Sequence, residues 1–430
     1  MHPISAPKGT NDLLPADSTA WEWLHTHHRE VAASFGYRFL ETPIFEKTEM
    51  FERGSGAGTD VVEKEMYSFI DKGGDDLTLR PEGTPSVVRA VLGAHLDQEI
   101  RPVRVRYAGP MFRRSQPQHL RYRQFRQVGI EAIGERSPSL DVEVIEVASQ
   151  FFASLHLDGV RLVINTLGDI DDRRGYREAL VAYYTPLVDE LCDDCKRRLA
   201  INPLRLLDCK EDVVHVAGAP LLHDSLSAEN RAYFDEVQGL LRDASIAFEV
   251  NQRLVRGLDY YAHTTFEFWH DSLQGAQNAL GGGGRYDGLA EVLGFAATPG
   301  VGYALGVERI LDVAKKSGVA PVPSRSCDVV VAPLSAAQVA HAAAVARHLR
   351  ADGIATVLDA SSRKLDKKLR DAERQGAAVV AIVGEDEVVE KMVSLRHLAT
   401  KRQQRVEAHA APAAVRSLAA GDDDDGLGAE

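Results

Sequence analysis

Hydrophobic and polar positions alternate most sharply between residues 121 and 132. Arg121, Arg123, Phe125, Gln127 and Glu131 take odd positions, and Val128, Ile130 and Ala132 lie between them. A β-strand sends successive side chains to opposite faces. The segment therefore predicts a strand with one apolar face and one face of cations, an aromatic ring and a carboxylate. Packing alone does not call for that second set, which reads as the wall of a polar pocket. Residues 103–112 predict a partner strand, and the short polar connection 114–121 makes the two an antiparallel hairpin. Helical periodicity marks residues 18–35 (Trp21, Leu24, His28, Val31), with Asp17 or Ser18 as N-cap, and recurs at 86–93 and 141–155. A strand is expected at 38–43, ending at Pro43.

From 171 to 248 the pattern turns helical and charged, which predicts a helical insertion. Strand character returns at 254–269, residues 281–289 (GGGGRYDGL) predict a turn, and 300–314 predict a strand running into a helix. Strands resuming after the insertion predict one antiparallel sheet interrupted by it. The expected class is α/β (α+β): an antiparallel sheet flanked by helices, built from residues 1–170 and 249–316. A Pro-, Gly- and Ser-rich linker follows at 317–326, and a small α/β domain at 327–417. The acidic tail, 418–430, is expected to be disordered.

The 430 residues suffice for two or three domains, and no apolar run approaches the ~18 residues of a membrane span. With no signal-peptide pattern at the N-terminus, the expected location is the cytoplasm. Net charge of −13 argues against a protein that coats nucleic acid indiscriminately. Yet no acid lies between Glu99 and Glu131, while Arg101, Arg104, Arg106, Arg113, Arg114, Arg121, Arg123 and Arg126 all do, which predicts a confined polyanion site. Four cysteines are too few for a disulfide framework. Cys192 and Cys195 form a CxxC with Cys209 close by, and His215 and His223 are nearby candidates for a fourth ligand. The preferred reading is thiols on and beside a helix, with no metal.

Arg113 and Arg256 offer rigid donor forks that match phosphate or carboxylate. Phe125 is suited to stack on a flat base, with Arg309 covering the other side and Gly302 and Gly306 admitting a ligand to the backbone. Residues 80–84 (RPEGT) put a carboxylate, Glu82, and a hydroxyl, Thr84, on a tight turn suited to an ammonium. Glu131 and Tyr261 then face a ring with two polar nitrogens. Neither a dinucleotide fingerprint nor a P-loop is present, so the expected catalysis is electrostatic positioning of an α-phosphate.

These segments together resemble the histidyl-tRNA synthetases, a class II family. Residues 36–43 (GYRFLETP) look like motif 1, 106–113 (RYAGPMFR) through Glu131 like motif 2, and 302–309 like motif 3. Residues 254–261 (LVRGLDYY) and 282–289 (GGGRYDGL) look like the two histidine signatures. The resemblance implies that Glu82 and Thr84 hold the histidine ammonium and that Gln127 contacts the substrate. Glu131 and Tyr261 would bind the imidazole, and Tyr286, with Tyr260 beside it, would close the pocket. Arg113 and Arg256 would clamp the α-phosphate and carboxylate, and Arg121, Phe125 and Arg309 would hold ATP. It further implies Mg²⁺ with ATP, tRNA(His) and L-histidine as substrates, a homodimer through motif 1, and an anticodon-binding domain at 327–417. The family usually carries Glu-Arg-Pro-Gln in the motif 2 loop. This chain has Ser115-Gln116-Pro117-Gln118, and Gln116 and Gln118 become candidates for reading the tRNA acceptor end. A non-aminoacylating relative that regulates ATP phosphoribosyltransferase is the main rival, disfavoured by Arg256 and the full motif 2.

Overall fold

The computed structural model describes residues 3–56, 59, 61–209, 211–273, 278–322 and 325–420. The chain divides into two compact units, Met1–Val322 and Pro323–Glu430. In the first, the strands are β1 (Arg38–Phe39), β2 (Phe45–Lys47), β3 (Tyr67–Ile70), β4 (Asp76–Leu79), β5 (Val103–Phe112) and β6 (Gln124–Ile133). They continue with β7 (Val160–Thr166), β8 (Phe248–Val250), β9 (Ala262–His270), β10 (Ala279–Arg285) and β11 (Gly300–Gly306). Strands β2, β4 and β3 form a small antiparallel sheet. The others form one sheet in the order β1-β5-β6-β11-β10-β9-β7-β8.

The alternating segment is the β5–β6 hairpin, in register from Val103 opposite Ile133 to Phe112 opposite Gln124. Val128, Ile130 and Ala132 bury against Leu24 and Ala32 of the Pro15–Ser34 helix and Ile145 and Phe151 of the Pro138–Ser154 helix. The opposite face turns Tyr107, Met111 and Phe125 toward the Thr84–Gly93 helix. The pleat therefore splits the basic tract. Arg104, bonded to Glu143 at 2.8 Å, Arg106, over the Phe39 ring at 5.0 Å, and Arg126, paired with Glu308, hold even positions on the hairpin. Arg101 pairs locally with Asp97. The expectation of one polyanion site from all eight arginines is corrected accordingly.

Other expectations shift for local reasons. The first helix starts at Pro15 with Leu14 as N-cap, not at Asp17 or Ser18, because proline presets the helical φ at the first turn. The strand expected at 38–43 shrinks to Arg38–Phe39 and pairs in parallel with β5. At the far edge β8 is likewise parallel to β7, so the sheet is antiparallel only across its six central strands. Residues 254–261 form a loop, and strand begins at Ala262. The glycine run expected to turn is strand β10, paired with both β9 and β11. The helix Ala228–Asp243, expected within a separate insertion, places Phe234, Val237 and Leu241 in the main core.

In the second unit, β12 (Val329–Pro333), β13 (Thr356–Leu358), β14 (Val379–Val383), β15 (Met392–His397) and β16 (Gln403–Glu407) form a sheet in the order β13-β12-β14-β15-β16. Its first three strands are parallel and are connected by the helices Val339–Ala351 and Leu365–Arg374. Residues 418–420, expected to be disordered, complete the helix Ala411–Ala420; residues 421–430, the rest of that expectation, lie outside the described residues.

One buried ion pair ties the first unit together. Arg285 on β10 donates from Nε and Nη2 to Asp141 Oδ1 at 2.9 and 2.6 Å, and both side chains are fully buried. Asp141 Oδ2 accepts from Tyr233 at 3.0 Å and Thr264 at 2.6 Å, while Arg285 Nη1 reaches Asp287 and the Glu135 carbonyl. Two strands and two helices thus meet at one satisfied charge pair, and removing one partner strands the other in the core. Asp141→Ala should cost about 3–5 kcal/mol of unfolding free energy in denaturant titration. A loss below ~1 kcal/mol would mean the pair is not what holds these elements.

Candidate active site

The polar face of β6 opens on a cleft of about 480 Å³. Arg113, Gln118, Arg121, Phe125, Gln127, Arg256 and Arg309 line it together, whereas Gln116 is exposed and does not. Arg113 follows β5 and lies over the Phe125 ring, its carbon 5.4 Å from the centroid. Arg113 Nε donates to the Pro81 carbonyl at 3.0 Å, and Arg309 Nη1 to the Ala279 carbonyl at 2.7 Å. Arg121 is instead taken up by Glu65 at 2.6 Å. Burial, and next the neighbouring Arg113 guanidinium, hold the pKa of Arg309 below its ordinary value. This wall of the cleft has a surplus of positive charge.

Behind it lies the opposite sign. Glu131 is fully buried and accepts from Thr84 at 2.7 Å on one oxygen and from Tyr286 at 2.6 Å on the other. Glu82 accepts from Ser55 and, at 2.6 Å, from Tyr260. The Tyr260 ring centroid is 4.6 Å from that of Tyr261 and 6.0 Å from that of Tyr286. Burial pushes the pKa of Glu131 up to about 8, with the Glu82 charge adding to the rise and the Tyr286 and Thr84 hydrogen bonds opposing it. Burial raises Glu82 as well. Two carboxylates in this setting favour a cationic or hydrogen-bond-donating guest.

Arg256 bridges the two regions. It lies over the Tyr261 ring, 5.4 Å from the centroid, and Glu267 on β9 accepts from its Nη1. Glu267 is itself fixed by Trp269 Nε1 at 2.7 Å. Burial works against the Arg256 charge, but Tyr261 and Glu267 outweigh it and raise the pKa. Among the described residues Arg256 Nε and Gln127 Oε1 are buried without a hydrogen-bond partner, the condition of groups awaiting a ligand.

The floor beneath these groups is almost bare backbone. A Cβ on Gly302 would run into the Glu131 carboxylate, and one on Gly282 would sit 2.9 Å from Arg256 Nη1 and inside the β9 backbone. The glycine run is therefore strand because only glycine lets Arg256 and Glu131 lie flat on the sheet. Sequence reasoning missed Ser55 and Glu267. Ser55 carries no local signal, whereas Glu267 sits at an alternating position of the 262–270 segment and was open to the reading used for β6.

Comparison with known proteins follows the same lines. A family profile described as histidyl-tRNA synthetase matches residues 9–310, and an anticodon-binding-domain profile matches 328–418. The chain belongs to the histidyl-tRNA synthetase family. It is 44% identical to histidine–tRNA ligase of Anoxybacillus flavithermus over 94% of this chain and 96% of the relative's length. The same identity holds for the Listeria innocua histidine–tRNA ligase over the same shares. Among solved structures, apo Staphylococcus aureus histidyl-tRNA synthetase matches with a TM-score of 0.80 at 34% identity, covering 97% of this chain and all of that one. The catalytic core and separate anticodon-binding domain of a histidyl-tRNA synthetase correspond to the two units of this fold.

The Glu131 shift has a measurable consequence. The unfolded chain releases this proton near the ordinary value of 4.5, but the folded chain keeps it to about pH 8. The folded state binds more protons in that window, so this contribution to stability is full below 4.5 and is lost as pH rises through 8. Unfolding free energies of wild type and Glu131→Gln should therefore diverge across the window, with wild type losing on the order of a few kcal/mol relative to the variant. A flat difference would refute the buried-acid assignment.

Proposed function

We propose that this cleft carries out the reaction named by the relatives, ligation of histidine to tRNA, through an adenylate. The observation that carries the reading is the pairing of signs: buried Glu82 and Glu131 on one side, Arg113, Arg256 and Arg309 on the other. That polarity fits a cationic amino acid whose carboxylate must meet a polyphosphate. In the first step a histidine carboxylate oxygen attacks the α-phosphorus of ATP and the bond to pyrophosphate breaks. In the second, the 3′-terminal ribose hydroxyl of tRNA(His) attacks the activated carbonyl carbon and AMP leaves.

Glu82 and Thr84 take the ammonium, Glu131 and Tyr261 the imidazole nitrogens, and Gln127 a polar atom of the substrate. Tyr260 and Tyr286 wall the pocket. Arg113 and Arg256 bracket the α-phosphate and carboxylate, so charge developing at phosphorus meets donors already in place. Phe125 and Arg309 enclose adenine; Arg121 reaches ATP on leaving Glu65. Mg²⁺ would supply positive charge to the phosphates of ATP, and Glu65, Glu267 and Glu308, the carboxylates lining the cleft, are the hard oxygen donors that would hold it on release from the arginines they now pair with.

In the second unit Lys368 is structural: it is buried and donates to the Pro333 and Asp359 carbonyls at 2.8 and 2.7 Å. Lys364, Lys367, Arg370 and Arg374 stay exposed at or on that helix and are offered to the anticodon arm. Gln116 and Gln118 meet the acceptor end. Phe39, Ile44 and Phe45 stand exposed in and beside the motif 1 segment, an apolar set that a second copy would cover in a homodimer. Among the described residues no helix is long and apolar enough to cross a membrane, and the work of such an enzyme belongs with translation in the cytoplasm.

Arg256→Ala should lower histidine-dependent pyrophosphate exchange by roughly 10²–10³-fold, with histidine affinity changed far less. Exchange within a few-fold of wild type would remove the clamp from the mechanism. Glu131→Gln should act the other way, raising the histidine KM by about tenfold or more, and an unchanged KM would count against the imidazole role. Sedimentation velocity should give twice the chain mass, and Phe39→Asp with Phe45→Asp should shift it to the monomer; a wild-type monomer at working concentrations rejects the dimer.

A further inference from the structure

Outside the cleft, the region most demanding explanation lies where the insertion folds back on itself. Cys192 caps the helix Asp193–Ile201 and Cys195 sits in its first turn. Cys209 follows the short 3-10 helix Pro203–Asp208, and Asp212 precedes the helix Val213–Gly218. Each arm carries its two donors three positions apart, a C-x₂-C paired with a C-x₂-D. The three sulfurs and one carboxylate oxygen all lie within 4.8 Å of one another.

The distances select among explanations. Cys192 Sγ and Cys209 Sγ are 3.8 Å apart, too far for the ~2.05 Å of a disulfide. Two thiolates held ~2.3 Å from one tetrahedral zinc ion stand ~3.8 Å apart by simple geometry. Cys209 Sγ lies 3.6 Å from Asp212 Oδ2, and the matching sulfur–oxygen edge around zinc is also ~3.6 Å. The Cys192 N–H points at both Asp212 oxygens from 3.2 Å, and the Asp212 N–H at Cys209 Sγ from 3.4 Å, the outer hydrogen bonds that hold ligands in place. Cys195 and Asp212 are buried, and Cys195 belongs to the core cluster of Leu191, Leu206, Leu207 and Val216. The histidines that sequence offered as a fourth ligand face elsewhere, His215 toward Glu190 and His223 toward Asn165.

We propose that Cys192, Cys195, Cys209 and Asp212 bind one Zn²⁺ ion as a closed structural site. Three soft sulfurs and one carboxylate suit zinc and leave no open position for chemistry. The ion pins the ends of the segment that backs the loop carrying Arg256. Between the two ligand arms, Asn202 donates to Asp259 at 2.8 Å, and Leu204 and Arg205 share a cavity of about 430 Å³ with Val255, Arg256, Asp259 and Tyr261. None of the four ligands lines the substrate cleft. The metal is a brace and takes no part in the reaction, so this proposal stands whether or not the aminoacylation reading does.

The test begins with the full chain purified without chelator and analysed for metals by plasma mass spectrometry, where about one zinc per chain is expected. Reconstitution with Co²⁺ should give the intense visible bands of a tetrahedral site with thiolate charge transfer, and Cys195→Ser or Cys209→Ser should lower zinc content by about tenfold or more. Should those variants fail to fold, the wild type still decides. Its thiols at 192, 195 and 209 should react slowly with a disulfide reagent until a strong chelator is added, and the chelator should lower the thermal midpoint. Three results would each overturn the site: a chain that stays below about a tenth of an equivalent of zinc after incubation with excess Zn²⁺ and desalting, a cobalt spectrum indifferent to Cys209→Ser, or thiol reactivity indifferent to chelator.

Discussion

The architecture rests on a bare patch of backbone. On the cleft side of β10 and β11 the positions that would carry side chains are Gly282, Gly284, Gly302, Ala304 and Gly306, and the space above them is filled by residues from elsewhere. Glu131 reaches in from β6 and Arg256 and Tyr261 from the loop before β9. Neither could be placed so if the sheet carried ordinary side chains there. A methyl on Gly302 would displace a fully buried carboxylate and collide with the Ile130 carbonyl of the neighbouring strand. A strand of consecutive glycines is costly, because glycine gives up the most backbone freedom on folding. The strand persists because β9 and β11 hold it from both sides and because Arg285, its last residue, is locked to Asp141.

That arrangement creates a site with two signs of charge a few side chains apart. The glutamates sit deep, with phenols and hydroxyls supplying their hydrogen bonds, and the arginines sit outward, where Arg113 and Arg309 bond to backbone carbonyls. Before a ligand enters, burial penalises both signs: it lifts the carboxyl pKa values and lowers that of Arg309. In the proposed reading the substrates relieve both penalties at once, since histidine brings positive groups to the glutamates and ATP brings negative ones to the arginines. Binding energy drawn from the two ends then fixes the distance between carboxylate and α-phosphorus, which is the only coordinate that the first step has to control.

How much of this was open to sequence depends on whether the cause is local. The β5–β6 hairpin was legible because alternation is a property of adjacent residues, and the pleat converts it directly into two faces. The β10 glycines were misread because the same residues serve turns, and what makes them strand is the crowding from β9, β11, Arg256 and Tyr261, none of it local. The Asp141–Arg285 pair spans 144 positions and leaves no trace in either neighbourhood. Cys192, Cys195 and Cys209 were visible as a group, but Asp212 was not, since one carboxylate in a charged stretch resembles any other until the fold places it against sulfur. The even spread of arginines over residues 101–126 misled for the complementary reason: charge counted along a chain takes no account of which face each charge will occupy.

In the proposed reading, selectivity for histidine follows from the burial of Glu131. An exposed carboxylate discriminates poorly, because water completes the hydrogen bonds of any ligand that falls short. A carboxylate with no solvent access, one oxygen on Thr84 and the other on Tyr286, leaves an incoming ring little latitude. An amino acid of similar shape but lacking a ring nitrogen would leave a buried group unpaired, at a cost of about 1–3 kcal/mol for each lost bond and more where the group is charged. Two such penalties, one at Glu131 and one at Tyr261, reach roughly 10⁴-fold, the level at which a binding site needs no second site to remove errors. On this argument a site that receives the imidazole where water does not reach places its selectivity in the binding step itself.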